Sequence, residues 1–278
     1  MSVNQKSSEN IHRLWGKGVE FVTHQARSLL QESGITRPPY LPEHLARLRG
    51  IRTIKEDLGN LDGLLIPLRE GFQIKVNITH PPERQNFSCA HEIAHTFFFE
   101  EEGKVLIERA SKEDDRQISN NLEEDLCDIA AAELLMPYTV FRQYASCYDF
   151  RIECLAPLAR MFNTSIFATA VRLVDVSPKT CFLVRWIPDN SQELGNYQLC
   201  ANWRISSKGV RFLFHKKFTK NSSIVEAYRS NNPTYSQECM KLGNFRGLCY
   251  IESQGFGYEP YRYVISLIFS EDYGYSKR

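Results

Sequence analysis

Phe87-Ser-Cys-Ala-His91-Glu92-Ile-Ala-His95-Thr-Phe-Phe-Phe99 contains H-E-x-x-H, a spacing that lets one helical turn carry two metal ligands and a base. Side chains four apart share a helix face, about 5–6 Å apart at Cβ, so His91 and His95 can both turn an imidazole nitrogen toward one zinc ion. Glu92 is offset by roughly 100° around the helix, close enough to reach a metal-bound water without ligating the metal. Zinc lowers the pKa of such a water from 15.7 toward about 7, and the carboxylate can take the proton and return it to a leaving amine. The predicted chemistry is peptide hydrolysis without a covalent intermediate. A five-residue match also arises by chance, and a lone His on an apolar helix is more often a packed core residue. Catalytic zinc needs a third protein ligand.

The candidate for that ligand lies in Glu123-Glu124-Asp125-Leu126-Cys127-Asp128-Ile-Ala-Ala-Ala-Glu-Leu-Leu-Met-Pro137. The stretch lacks Gly and internal Pro, carries three consecutive alanines and stops at Pro137, and so reads as a helix. Glu124 and Asp128 share a face. A zinc-binding Glu followed one turn later by an Asp that accepts the N–H of a ligating His is the outer support metal sites need. Glu123 and Asp125 are expected to point elsewhere, in a solvated first turn favoured by the helix dipole, and the bland reading extends this to the whole acidic run.

Together the two blocks resemble the ImmA/IrrE family of bacterial zinc metallopeptidases, over about residues 40 to 175. The first matches as Arg84-Gln-Asn-Phe-Ser-Cys-Ala-His-Glu-Ile-Ala-His95 and the second as Glu124-x-x-x-Asp128-x-x-Ala-Ala-x-Leu-Leu-Met-Pro137. Asp128 stands where the family usually has Asn, and Cys127 where it has a small residue. The resemblance implies His91, His95 and Glu124 as zinc ligands, with Glu92 as general base. It implies a zincin-like α+β core of a small antiparallel sheet and helices, a helix-turn-helix-like unit, and in longer members a GAF-like sensor domain. The implied substrate is a helix-turn-helix transcriptional repressor, cleaved under a stress signal such as DNA damage. Zinc is the expected ion, with manganese an alternative in the cell.

The 278 residues are enough for two domains and a sizeable core. Hydrophobic content of 42%, charged content of 24% and a net charge of +1 suit an ordinary globular chain rather than one basic throughout. The first residues have no apolar stretch of the kind that directs secretion, and no run of some 18 apolar residues would cross a membrane. The expected location is the cytoplasm, with the eight cysteines as thiols.

Along the chain, residues 8 to 33 read as an amphipathic helix ended by Gly34, and 42 to 49 as a short helix. Strands are expected over 51–54, 61–68 and 72–76, the last two joined at Glu70-Gly71. Ile74 to Asn77 is the candidate edge strand for holding an extended peptide, and His80 a loop residue that could line the cleft. Residues 104 to 120 read as a connecting flap. The Glu100-Glu101-Glu102 run reads as a solvated face. Tyr138 and Arg109 are candidate donors to an oxyanion. Leu155 to Leu173 has the cadence of a helix-turn-helix turning at Asn163-Thr-Ser165, but its second helix offers only Thr169 and Arg172 to a groove, which favours packing.

The domain expectation is 1–150 for the peptidase, 151–177 for the helical unit and 178–278 for an α+β regulatory domain, with strands over 181–187, 197–203, 210–218, 248–253 and 263–269. In that last part Arg204, Lys208, Arg211, Lys216 and Lys217 interleave with aromatics, a pattern for single-stranded nucleic acid or another anionic ligand. Outward bases beside inward aromatics are the simpler and favoured explanation. Cys127 either faces the metal as a thiol switch or packs as a small core residue. The favoured function is a zinc endopeptidase of narrow specificity. The rival is a non-catalytic regulator that binds DNA or a repressor through its C-terminal half.

Overall fold

The computed structural model describes residues 3–101, 103–105, 116–179, 181–189, 199–206, 217–218, 222–242 and 245–270. They form two compact units, Met1–Val140 with Arg160–Ser165, and Phe141–Ala159 with Ile166–Arg278. The architecture is α+β.

In the first unit, α1 (Val3–Ser33) ends where Gly34 turns left-handed, and α2 (Pro42–Leu48) follows. Strands β1 (Arg52–Glu56), β2 (Gly63–Pro67) and β3 (Phe72–Asn77) lead into α3 (Pro82–His95), which tightens into a 3-10 turn at Thr96–Phe99. The next described helix, α4 (Arg116–Leu135), carries the acidic block. Val22 and Ala26 of α1, Ile93 and Ala94 of α3, and Leu126, Ala130 and Leu134 of α4 are completely buried. Small residues on α4 let it approach α3 closely, so the two helices that carry the motifs share one core.

The small sheet is mixed rather than wholly antiparallel. β2 and β3 form the expected hairpin, with Leu65 opposite Ile74. Its turn closes by the Leu68 N–H donating to the Gly71 carbonyl at 3.0 Å, Gly71 having φ +78°. β1 instead pairs with β3 in parallel, giving the order β1-β3-β2. The connection between β1 and β2 therefore passes β3. It is pinned by the buried Asn77 amide, which donates to the Gly59 and Leu61 carbonyls at 3.0 and 2.8 Å. Ile74 to Asn77 thus lies in the central strand, contrary to the edge position expected; both its neighbours are occupied, and β1 and β2 are the edges. Glu100, its side chain 41% exposed, accepts from Gln25 at 3.0 Å and from Arg49 at 2.9 Å.

The second unit begins within α5 (Tyr138–Ser146). α6 (Leu155–Phe162) and α7 (Ile166–Val176) break at Asn163, whose φ is +54°, and are bent by 115° there. Thr169 is fully buried and Arg172 nearly so, its guanidinium 2.7 Å from Asp175, so the second helix of this pair spends its polar residues on packing. No single described helix is long and apolar enough to cross a membrane.

Strands β4 (Cys181–Pro188), β5 (Leu199–Ser206), β6 (Lys217–Phe218), β7 (Thr234–Leu242), β8 (Phe245–Phe256) and β9 (Tyr263–Ser270) form an antiparallel sheet in the order β6-β5-β4-β9-β8-β7. On one face Phe182, Val184, Trp186, Ile251, Val264 and Ile268 pack with Ile224, Val225 and Tyr228 of α8 (Ser223–Ser230). The Trp186 indole donates to Ser266 at 2.8 Å, and Ser266 lies 2.7 Å from Ser253, so the polar atoms of this core satisfy one another. On the other face the carboxylate of Glu252, 1% exposed, accepts the Ile152 N–H at 2.9 Å and meets Arg151 at 3.0 Å. β7 was not foreseen, since Thr234–Leu242 is a largely polar edge strand with no aliphatic alternation.

Candidate metal centre

α3 starts on Pro82 at its first turn and runs without a breaker to His95, which puts His91 and His95 on one face, their rings 4.9 Å apart. Their Nε2 atoms lie 3.1 Å from each other. Across from them, Glu124 of α4 brings one carboxylate oxygen to 3.1 Å from His91 Nε2 and the other to 3.5 Å from His95 Nε2. The remaining imidazole nitrogens face carboxylates too: His91 Nδ1 is 2.9 Å from Asp128 and His95 Nδ1 is 3.0 Å from Glu123.

Glu123 was expected in a solvated first turn. The helix begins at Arg116, well before the acidic run, so Glu123 sits in its interior and on the face turned to α3. Helix-start chemistry does not account for the run. Asp128, expected to support a ligating histidine, lies on the same face beside His91.

Cys127 also faces this cluster. Its sulfur and the ligand atoms of His91 and His95 all lie within 4.8 Å of one another. The residue is fully buried, and burial, followed by the charges of Glu123 and Glu124, pushes its thiol far above the ordinary range. Cys89, also buried, is pushed up to about 12, chiefly by desolvation.

Glu92 lies beside the histidines, its carboxyl raised above the usual range. Burial is the main cause, His95 and His91 work against it, and Glu124 adds to it. β2 passes directly over this side chain. A Cβ at Gly63 would stand 2.8 Å from Glu92 Oε1, so glycine is what lets the carboxylate lie against the strand. Burial also opposes the charged form of His91, but the hydrogen bond to Asp128 and the nearby carboxylates outweigh it and raise its pKa. Four carboxylates gathered around two imidazoles leave an excess of negative charge that a divalent cation would neutralise, and the convergent nitrogens and oxygens could hold one.

The other predicted residues fall elsewhere. His80 is 2.9 Å from Asp62, which Arg84 also meets at 2.7 Å. Tyr138 opens α5 with its N–H on Glu133, and Arg109 lies outside the described residues. Arg204 falls in β5 and Lys217 in β6. The side chains of both, and Lys208, Arg211 and Lys216 altogether, lie outside the described residues.

The family described as the IrrE N-terminal-like domain, a peptidase family, matches residues 46–174. The radiation response metalloprotease IrrE of Deinococcus deserti is 30% identical over 170 residues, 59% of each chain. That of Deinococcus radiodurans is 31% identical over 121 residues, 44% of this chain and 36% of its own. The chain therefore spans less than two thirds of the length of these relatives. A Mycobacterium tuberculosis transcriptional regulator shares the fold with a TM-score of 0.64 at 14% identity, over 95% of this chain and 81% of its own. The two helices that build the cluster lie inside the matched stretch, and in that stretch the chain carries an IrrE N-terminal-like domain of this peptidase family.

Proposed function

We propose that this chain is a zinc-dependent endopeptidase that cleaves a helix-turn-helix transcriptional repressor, and that its second unit, read as GAF-like by resemblance, responds to a stress signal. The observation that carries the metal assignment is the convergence of His91 Nε2, His95 Nε2 and Glu124, whose separations are 3.1, 3.1 and 3.5 Å. Ligands about 2.0–2.1 Å from a tetrahedral zinc lie about 3.3 Å from one another. Glu124 fits that spacing, and we read the fully buried Cys127 as a packing residue rather than a thiol switch.

The bound ion would supply Lewis-acid polarisation of a scissile carbonyl and acidify a water. Glu92 then holds the proton of the attacking water at its carboxylate and delivers it to the leaving amine; a raised proton affinity brings this group closer to its operating pH. Asp128 and Glu123 fix the orientation of the two imidazoles from behind. The peptide is held in extended form along β2, the edge strand beside Glu92, by strand addition. Leu61, Leu64 and Leu68, on and around that edge, are exposed and offer it apolar contacts.

The test is incubation of the purified chain with helix-turn-helix repressors encoded near it, reading new termini by mass spectrometry. Cleavage by the wild type and none by Glu92→Gln, with binding of the repressor retained, is the expected result. Equal behaviour of the two proteins would leave the rival reading, a regulator that acts by binding alone.

A further inference from the structure

The face of the six-stranded sheet that carries Glu252 also holds a cation that has no counter-ion among the described residues. Arg185 of β4 has its guanidinium between two rings, 4.7 Å from that of Tyr263 and 5.4 Å from that of Phe167. Its Nε is shut off from solvent and has no hydrogen-bond acceptor, and no carboxylate pairs with it among the described residues. Glu252 on the same face is engaged by Arg151 and Ile152 instead.

Strand register adds a second group. Arg185 pairs with Ile265, and Ile265 pairs with Gln254, so the three side chains stand in one row on one face, with Arg185 and Gln254 about 10 Å apart at the backbone. The Gln254 Oε1 is likewise buried without a donor. A break in the β4–β5 register falls between Arg185 and Trp186, and such irregularities re-aim side chains beside binding sites. Phe167, Arg185, Gln254 and Tyr263 are each only partly buried, so both ends of the row reach solvent, while Ile265 between them is covered.

An unpaired guanidinium stacked on aromatic rings keeps its hydrogen-bonding fork free for a planar or tetrahedral oxyanion. An acceptor about 10 Å away across one strand requires a donor on the same ligand. We propose that this face binds a small oxyanion, a carboxylate or a phosphate, that also carries a hydroxyl or amino group. Arg185 takes the anionic end, between the rings of Phe167 and Tyr263, and Gln254 accepts from the donor end. The site lies within the second unit and does not depend on whether the metal centre hydrolyses peptides.

Calorimetric titration of the full chain with inorganic phosphate, glycerol 3-phosphate and malate tests this, with circular dichroism to establish that each variant is folded. Saturable binding of a hydroxylated oxyanion is expected, stronger than that of inorganic phosphate. Glycerol 3-phosphate against malate distinguishes a phosphate from a carboxylate ligand. Arg185→Gln should weaken binding about ten-fold or more, the loss of at least one charge-assisted hydrogen bond. Arg185→Lys, which keeps the charge but not the fork, should fall between. Gln254→Leu should weaken the hydroxylated probe and leave inorganic phosphate unchanged. Should Arg185→Gln not fold, the Arg185 Nε–H resonance of the wild type reads the same contact by moving on titration. No saturable binding of any probe up to about 10 mM, or equal binding by wild type and both Arg185 variants, would overturn the proposal.

Discussion

Glu92 in the first unit is a partly buried carboxylate and Glu252 in the second a fully buried one, and the protein surrounds them in opposite ways. Glu252 is closed in by Arg151 and the Ile152 N–H, so its charge is neutralised and its position fixed. Glu92 has no cationic partner of that kind: it lies against the bare backbone of Gly63, beside two imidazoles, and burial raises its affinity for a proton. A carboxylate locked to an arginine ties chain segments together, and one left poised for a proton can move it. Their neighbours, more than their burial, separate the two.

Substitution at each position should therefore move different quantities. Glu92→Gln is expected to lower peptide hydrolysis about 10²–10⁴-fold, the range for loss of a general base, while the urea unfolding midpoint barely moves. Glu252→Ala should do the converse. Removing the acceptor of a buried N–H costs about 1–3 kcal/mol, visible in equilibrium unfolding of the second unit, with the metal content of the protein unchanged.

The comparison sharpens at the carboxylates behind the histidines. Asp128→Ala and Glu123→Ala should each weaken metal binding about 10–100-fold in competition with a chelator, as outer supports of metal ligands do. An effect of Asp128→Ala without one of Glu123→Ala would mean that His95 is oriented from elsewhere. The smallest expected effect is at Gly63→Ala, whose new methyl would displace the Glu92 carboxylate. A shift of this kind can cost up to about 10²-fold in rate, and here metal content should stay at the wild-type level.

Much of the metal cluster was legible because its parts sit at fixed spacing on two helices. Four-residue intervals place His91 with His95 and Glu124 with Asp128 without knowledge of the rest of the fold. Glu123 escaped because the helix start was assigned to the acidic run, whereas α4 begins at Arg116; a run of acids near a helix start looks the same whichever turn it occupies. Gly63 escaped for a different reason, since its closeness to Glu92 arises only when β2 lies on α3, and no local pattern encodes that. The parallel pairing of β1 with β3 was hidden likewise, because adjacency in sequence suggests a meander and the loop pinned by Asn77 makes a crossover. In the second unit the strands β4 and β9 read clearly from their apolar runs. The row of Arg185 and Gln254 depends on register across β9, which single strands do not reveal.

Metal content by mass spectrometry on the wild type, His95→Ala, Glu124→Ala and Cys127→Ala tests the central claim most directly. About one zinc ion per chain is expected in the wild type and in Cys127→Ala, and none in the other two, as three protein ligands of the His–His–Glu type require. Zinc retained in Glu124→Ala and lost in Cys127→Ala would transfer the third ligand to the thiol. A wild type that holds no metal even after zinc is added back would contradict the metallopeptidase account altogether.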